Sequence, residues 1–156
     1  MPNHAEELAA VLVANRESHR PFQPLRPEAF FTVEAQRQRL AATDHLYAIL
    51  DGDALAGVIE LSNVARGPFQ SATLGYWVDE ARRGRGLATR AVAAIVELAF
   101  GELDLHRLEA ATLVDNVASQ RVLEKNGFLR IGLAPRYLQI AGAWRDHLLF
   151  QRTDED

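Results

Sequence analysis

Apolar positions change their period several times along the chain, and those changes divide it into elements. Leu8, Val11 and Leu12, with Glu7 and Asn15 on the same spacing, recur at three and four residues and predict a first helix that stops before Pro21 and Pro24. Pro21, Pro24 and Pro27 demand an extended or turned connection. Helical spacing resumes from Glu28 to Ala42, with Phe30, Phe31, Ala35 and Leu40. Two helices joined by a stiff elbow are expected.

From His45 the period shortens to two. Leu46 to Leu50 predicts a strand, Asp51-Gly52-Asp53 a tight turn, and Leu55 to Leu61 its hairpin partner. Arg66-Gly67-Pro68 interrupts, and Ala72 to Val78 is a third strand. Leu87, Ala91, Ile95 and Leu98 then fall on one face of a long helix. His106 to Val114 alternates as a strand; Asp115 or Asn116 can cap a further helix packed by Val122 and Leu123, which Asn126-Gly127 ends. Phe128 to Leu133 and Arg136 to Ile140 lead to the Ala141-Gly142 turn, from which Ala143 to Gln151 returns. This order predicts an α+β domain with a mixed sheet. No internal repeat, low-complexity tract or linker divides residues 1–156, so one domain is expected.

Composition narrows the function classes. At 156 residues, with 48% apolar and 24% charged side chains, the chain can bury a proper core. It has no cysteine, which removes disulfides, thiolate nucleophiles and cysteine-held metals together. A net charge of −4 supplies no general attraction to nucleic acid. Met1 to Ala14 carries acids and no basic-then-apolar leader, and no window is long enough to span a membrane, so the cytoplasm is the expected location. Nothing in the pattern implies a metal.

One stretch stands out against this background. Arg82-Arg83-Gly84-Arg85-Gly86-Leu87-Ala88-Thr89 joins the third strand to the long helix. Glycine lets backbone amides approach an anion closely, and a helix start offers free amides at the positive end of its dipole. Three arginines within four residues add donors suited to phosphate, although a solvated surface loop uses the same residues. The Gly-Lys-Ser/Thr ending of a P-loop and the spacing of a dinucleotide fingerprint are both missing.

Arg83-Gly84-Arg85-Gly86-Leu87-Ala88 resembles the acyl-coenzyme A signature of the GNAT N-acetyltransferases, Arg/Gln-x-x-Gly-x-Gly/Ala. Asn116-Val117-Ala118-Ser119-Gln120-Arg121-Val122-Leu123-Glu124-Lys125-Asn126-Gly127-Phe128 resembles the second signature of that family. Ser62 to Phe69, Leu105 to Leu108, and Arg136 to Ile140 through Trp144-Arg145-Asp146-His147 are similar to its RimJ/RimL branch, RimJ above all. The resemblance implies a central, mostly antiparallel mixed sheet flanked by about four helices. Such proteins usually begin with a strand ahead of the first helix, whereas this chain begins at the helix. That would leave a sheet edge open, and a homodimer is one way to cover it.

The resemblance also implies a site. Acetyl-coenzyme A would be the co-substrate, with Tyr76, Trp77 and Val78 along the pantetheine arm, Arg83, Gly84, Arg85, Gly86, Ala88 and Thr89 around the pyrophosphate, Asn116 at the pantetheine or acetyl region, and Ser119 also in contact with the coenzyme. An acceptor amine would attack the thioester directly. Many relatives place a tyrosine acid where this chain has Ser119, making Ser119 the candidate acid; Glu60, on the hairpin strand, is the candidate base. The ordinary roles of Ser119 and Glu60 are a backbone-bonding helix residue and a solvent-facing strand residue. Arg16, Arg20, Phe22, Tyr137 and Trp144 would line the acceptor side or simply pack. His106, Asp146 and His147 read mainly as structural, because no serine elbow or paired-histidine helix accompanies them. The acceptor implied by RimJ-like relatives is a protein N-terminus; the alternatives are a small-molecule amine and a module that senses acyl-coenzyme A without turnover.

Overall fold

The computed structural model describes residues 4–156; the first three residues of the stretch read above as lacking a leader lie outside it. Helix α1 spans Ala5–Ala14 and turns its buried side, Leu8, Ala9 and Leu12, onto the sheet. Asn15 then interrupts the helix, and α2 (Arg16–His19) and a 3-10 turn (Arg20–Phe22) carry the chain into the proline elbow.

The second helix begins later than its apolar spacing suggests. Glu28–Phe31 forms a separate 3-10 turn, and α3 spans only Val33–Ala42. Thr32 causes the break: its backbone is extended, its hydroxyl donates to the Ala29 carbonyl at 2.7 Å, and its oxygen caps the Ala35 amide at 3.2 Å.

Six strands follow: β1 (Leu46–Asp51), β2 (Ala54–Ala65), β3 (Ser71–Val78), β4 (Arg107–Leu113), β5 (Leu129–Ile140) and β6 (Ala143–Thr153). They form one sheet in the order β1-β2-β3-β4-β6-β5, antiparallel throughout except for β3 and β4, so β1 and β5 are its edges. The segments expected ahead of the Ala141-Gly142 turn run together as β5, whose pairing with β6 is irregular between Ala134 and Leu138.

Helix α4 (Leu87–Phe100) makes the crossover between the parallel strands, and α5 (Val117–Lys125) lies beside it. The buried stripe of α4 runs through Leu87, Val92, Ile95, Val96 and Ala99, about one position round from the expected face. It covers Ile59, Leu61, Ala72 and Leu74 on one side of the sheet. Each leucine or isoleucine side chain among them, taken fully out of water, contributes about 1.5–3 kcal/mol. Leu8, Leu12, Leu46, Leu55 and Val58 form a smaller core on the other side, under α1 and α3. The helices on both faces leave one interruption in the sheet, and the site is built there.

Candidate active site

Strands β3 and β4 pair only where Ser71–Thr73 meet Arg107–Glu109. Beyond that point β3 continues to Val78 and β4 to Leu113 without bonding each other. The strands part like the arms of a V, and Leu74 to Val78 and Ala110 to Leu113 line a cleft of about 1030 Å³. Apart from the Val78 carbonyl, which His19 takes, the inner edge of β3 is therefore open to an extended amide-bearing ligand. Gly57, across from Val78 on β2, is required for this geometry, since a Cβ there would lie 2.2 Å from the Trp77 carbonyl oxygen.

The V opens onto the glycine loop. Gly86, at φ +72°, is the N-cap of α4, and no side chain caps the helix. Its first amides are left for an anion at the positive end of a 14-residue helix. Arg90 steadies the loop by donating to the Arg85 carbonyl at 3.0 Å.

The three arginines divide their work. Asp51, at the end of β1, receives Arg82 at 2.8 Å and Arg85 at 2.6 Å on the same oxygen. The hydrogen bond from Arg82, aided by the charge of Arg85, holds the Asp51 carboxyl below the usual carboxylate range. Arg85, expected beside the phosphates, is thus engaged by Asp51 and does not line the cleft. Arg83 lines it and makes no ion pair among the described residues.

On the α4 and α5 side of the V, Asn116 caps α5 by accepting from the Ser119 amide at 3.3 Å. The Ser119 hydroxyl lies 2.8 Å from the phenol of Tyr76. Burial pushes the Tyr76 phenol up to about 12, with the Ser119 hydrogen bond acting in the opposite direction. Two neutral hydroxyls are therefore linked at the cleft wall.

The other face carries charge. Glu60 lines the cleft on β2, but its carboxylate already holds Arg39 of α3 at 3.1 Å. Arg16, Arg20 and Phe22 also line the cleft, and Arg16 pairs with Glu28. Tyr137 and the exposed Trp144 do not line it; Tyr137 packs instead on His147, with ring centres 5.8 Å apart. The proline elbow roofs this end, because the Gln23 carbonyl accepts the Ala141 amide of the β5–β6 turn at 2.9 Å.

Three residues have roles that spacing did not reveal. Asn15 is buried; its amide donates to the Val11 carbonyl and to Asp79, both at 2.9 Å, and its oxygen accepts the Glu80 amide at 2.8 Å. It fastens the first helix to the turn after β3. His19 donates from Nε2 to the Val78 carbonyl at 3.2 Å and meets the Trp77 ring edge-on. His147, set aside from the chemistry on sequence, lines the cleft. The only signal for the first was a polar residue on the apolar stripe of α1.

His106, Asp146 and His147 do not form a triad. His106 pairs with Asp154 at 2.6 Å, and Asp146 accepts the Arg136 amide at 2.8 Å. Among the described residues no group of three or more His, Cys, Asp or Glu is placed to hold a metal. Among the described residues no helix is long and apolar enough to cross a membrane.

Comparison with known proteins gives consistent matches. The model of a family described as an acetyltransferase (GNAT) domain matches residues 1–129. The probable N-acetyltransferase YjcK of Bacillus subtilis is 37% identical, over 97% of this chain and 90% of its own. The ribosomal-protein-S5-alanine acetyltransferase of Vibrio fischeri superposes with a TM-score of 0.94 at 32% identity, covering 100% of this chain and 91% of that one. RimJ of Mycobacterium smegmatis, in complex with CoA-disulfide, superposes with a TM-score of 0.91 at 30% identity, covering 99% and 79%.

Proposed function

The chain belongs to the GNAT acetyltransferase family, and from that premise we propose that it transfers acetyl from acetyl-coenzyme A to the N-terminal α-amine of a protein. The observation that carries the coenzyme is the V between β3 and β4 ending at an uncapped helix start, a strand edge leading to an anion cradle. The pantetheine amides would pair with the backbone of Tyr76, Trp77 and Val78, though the Val78 carbonyl is already held by His19. The pyrophosphate would sit on the amides from Gly84 to Thr89, with Arg83 as its free cation. Asn116 would face the acetyl end while capping α5.

The amine attacks the thioester carbonyl and the C–S bond breaks. Ser119, backed by the protonated Tyr76 phenol, would protonate the departing thiolate. Glu60 would draw the cationic amine toward the cleft, its negative charge shared with Arg39. A protein acceptor is supported by the S5-alanine acetyltransferase and RimJ as structural neighbours. An acceptor of the ribosomal-protein type would put the reaction in the cytoplasm. The roof from Gln23 to Ala141 favours a second reading, a compact small-molecule amine.

The test is release of free coenzyme A, with mass spectrometry of the acceptor, from acetyl-coenzyme A offered with N-terminal peptides and with small amines. Acetylated peptide α-amines are expected. Turnover of small amines alone would replace the protein acceptor with the second reading.

A further inference from the structure

We propose that His147 is the general base that takes the proton from the acceptor amine. The inference rests on the acetyl-transfer reading above, and it assigns a group that reading does not use.

The hydrogen bonding of the ring sets its tautomer. Nδ1 lies 2.9 Å from the Arg145 carbonyl oxygen, which can only accept, so Nδ1 carries the hydrogen. In the neutral ring Nε2 then holds a lone pair, and the hydrogen bonding of this ring among the described residues runs through Nδ1 alone. An imidazole oriented through one nitrogen and free at the other is the arrangement of a general base. His147 is only 3% exposed, yet it lines the cleft. Packing against Tyr137 fixes its plane.

The sheet places this ring on the right side of the reaction. His147 stands opposite Leu113, so they share a face, and alternation along β4 puts Ala111 and Glu109 there too. Glu109 pairs with Thr73, whose face on β3 continues through Gly75, opposite Glu60, and Trp77. Tyr76 points to the other face, where it meets Ser119. The amine would thus approach from the face of His147 and Glu60, and the thiolate would leave toward that of Tyr76 and Ser119. The Glu60 carboxylate is already engaged by Arg39. Asp146, beside His147 on β6, is occupied by the Arg136 amide.

The protons balance. Nε2 of His147 removes one from the α-ammonium, leaving a neutral amine whose lone pair forms the C–N bond. As the tetrahedral intermediate collapses and the C–S bond breaks, the second nitrogen proton passes through the cleft hydroxyls to the thiolate. The products are the acetylated amine, free coenzyme A and one proton on His147, which solvent removes.

The experiment compares wild-type protein with His147→Gln and His147→Ala, using the best acceptor in the panel above. Turnover should fall about 10²-fold or more in both, with acetyl-coenzyme A affinity unchanged. The defect should shrink as pH is raised past about 8, where an α-amine is already neutral. Added imidazole should restore part of the His147→Ala rate. Folded variants within about threefold of wild type, or a loss that neither alkali nor imidazole relieves, would overturn the assignment. Wild-type turnover of small amines alone removes the protein acceptor but leaves His147 testable on the amine that reacts; no turnover of any acceptor removes both.

Discussion

The phenol of Tyr76 and the hydroxyl of Ser119 meet at 2.8 Å, joining β3 to the first turn of α5 across the open end of the sheet. Neither can be a strong acid, and burial keeps the phenol protonated to about 12. A thiolate is a good leaving group, so the demand on this pair is modest. Ser119→Ala should lower turnover about 10²-fold, at the low end of general-acid effects, with acetyl-coenzyme A affinity kept. Steady-state kinetics beside calorimetry checks this; an unchanged rate removes Ser119 from the proton path.

Gly86→Glu should abolish coenzyme binding. A side chain at φ +72° costs about 1–2 kcal/mol, and its Cβ would stand 3.3 Å from Arg90 Nη1. The introduced carboxylate would also occupy the anion position at the start of α4. Melting should shift by only a few degrees while the calorimetric signal for acetyl-coenzyme A disappears. Retained affinity would take the loop out of the binding site.

The two arginines flanking Gly84 should behave differently despite their equal charge. Arg83 has no ion-pair partner among the described residues and lines the cleft, whereas Arg85 is held by Asp51. A charge-assisted hydrogen bond is worth about 1.5–3 kcal/mol, so Arg83→Ala should weaken acetyl-coenzyme A about 10- to 100-fold and Arg85→Ala by less than about threefold. The reverse order would show that Asp51 releases Arg85 when ligand binds.

His19 should make the protein acid-sensitive. Burial lowers its affinity for a proton, with the nearby Arg83 charge adding to the effect and the Val78 hydrogen bond opposing it. The unfolded chain then binds more protons than the folded one just below the ordinary histidine value of about 6.5. Stability rises with pH across that window and is lost on acidification. Melting temperature should therefore drop more between about pH 7 and 5 for wild type than for His19→Gln, which can still donate to the Val78 carbonyl. Parallel curves would refute this linkage.

The sequence by itself determined what depends on neighbours along the chain. Asn116 three residues before Ser119 makes a cap, Gly52 makes a turn, and alternation in β3 and β4 makes strands, because each follows from local sterics and hydrogen bonds. The glycine loop ahead of a helix was legible for the same reason. Even within that range Thr32 overrode the apolar spacing before α3, since a capping hydroxyl there competes with the helix. Only the tertiary structure decided which groups meet across the sheet. Asp51 claims Arg82 and Arg85, 31 and 34 residues away, and Arg39 claims Glu60 from another layer. The tautomer of His147 is local, set two residues back at the Arg145 carbonyl, but its use depends on the cleft beside it. That cleft exists because β3 and β4 separate after three paired residues, and the point at which two strands diverge is set by the packing on both faces rather than by either strand.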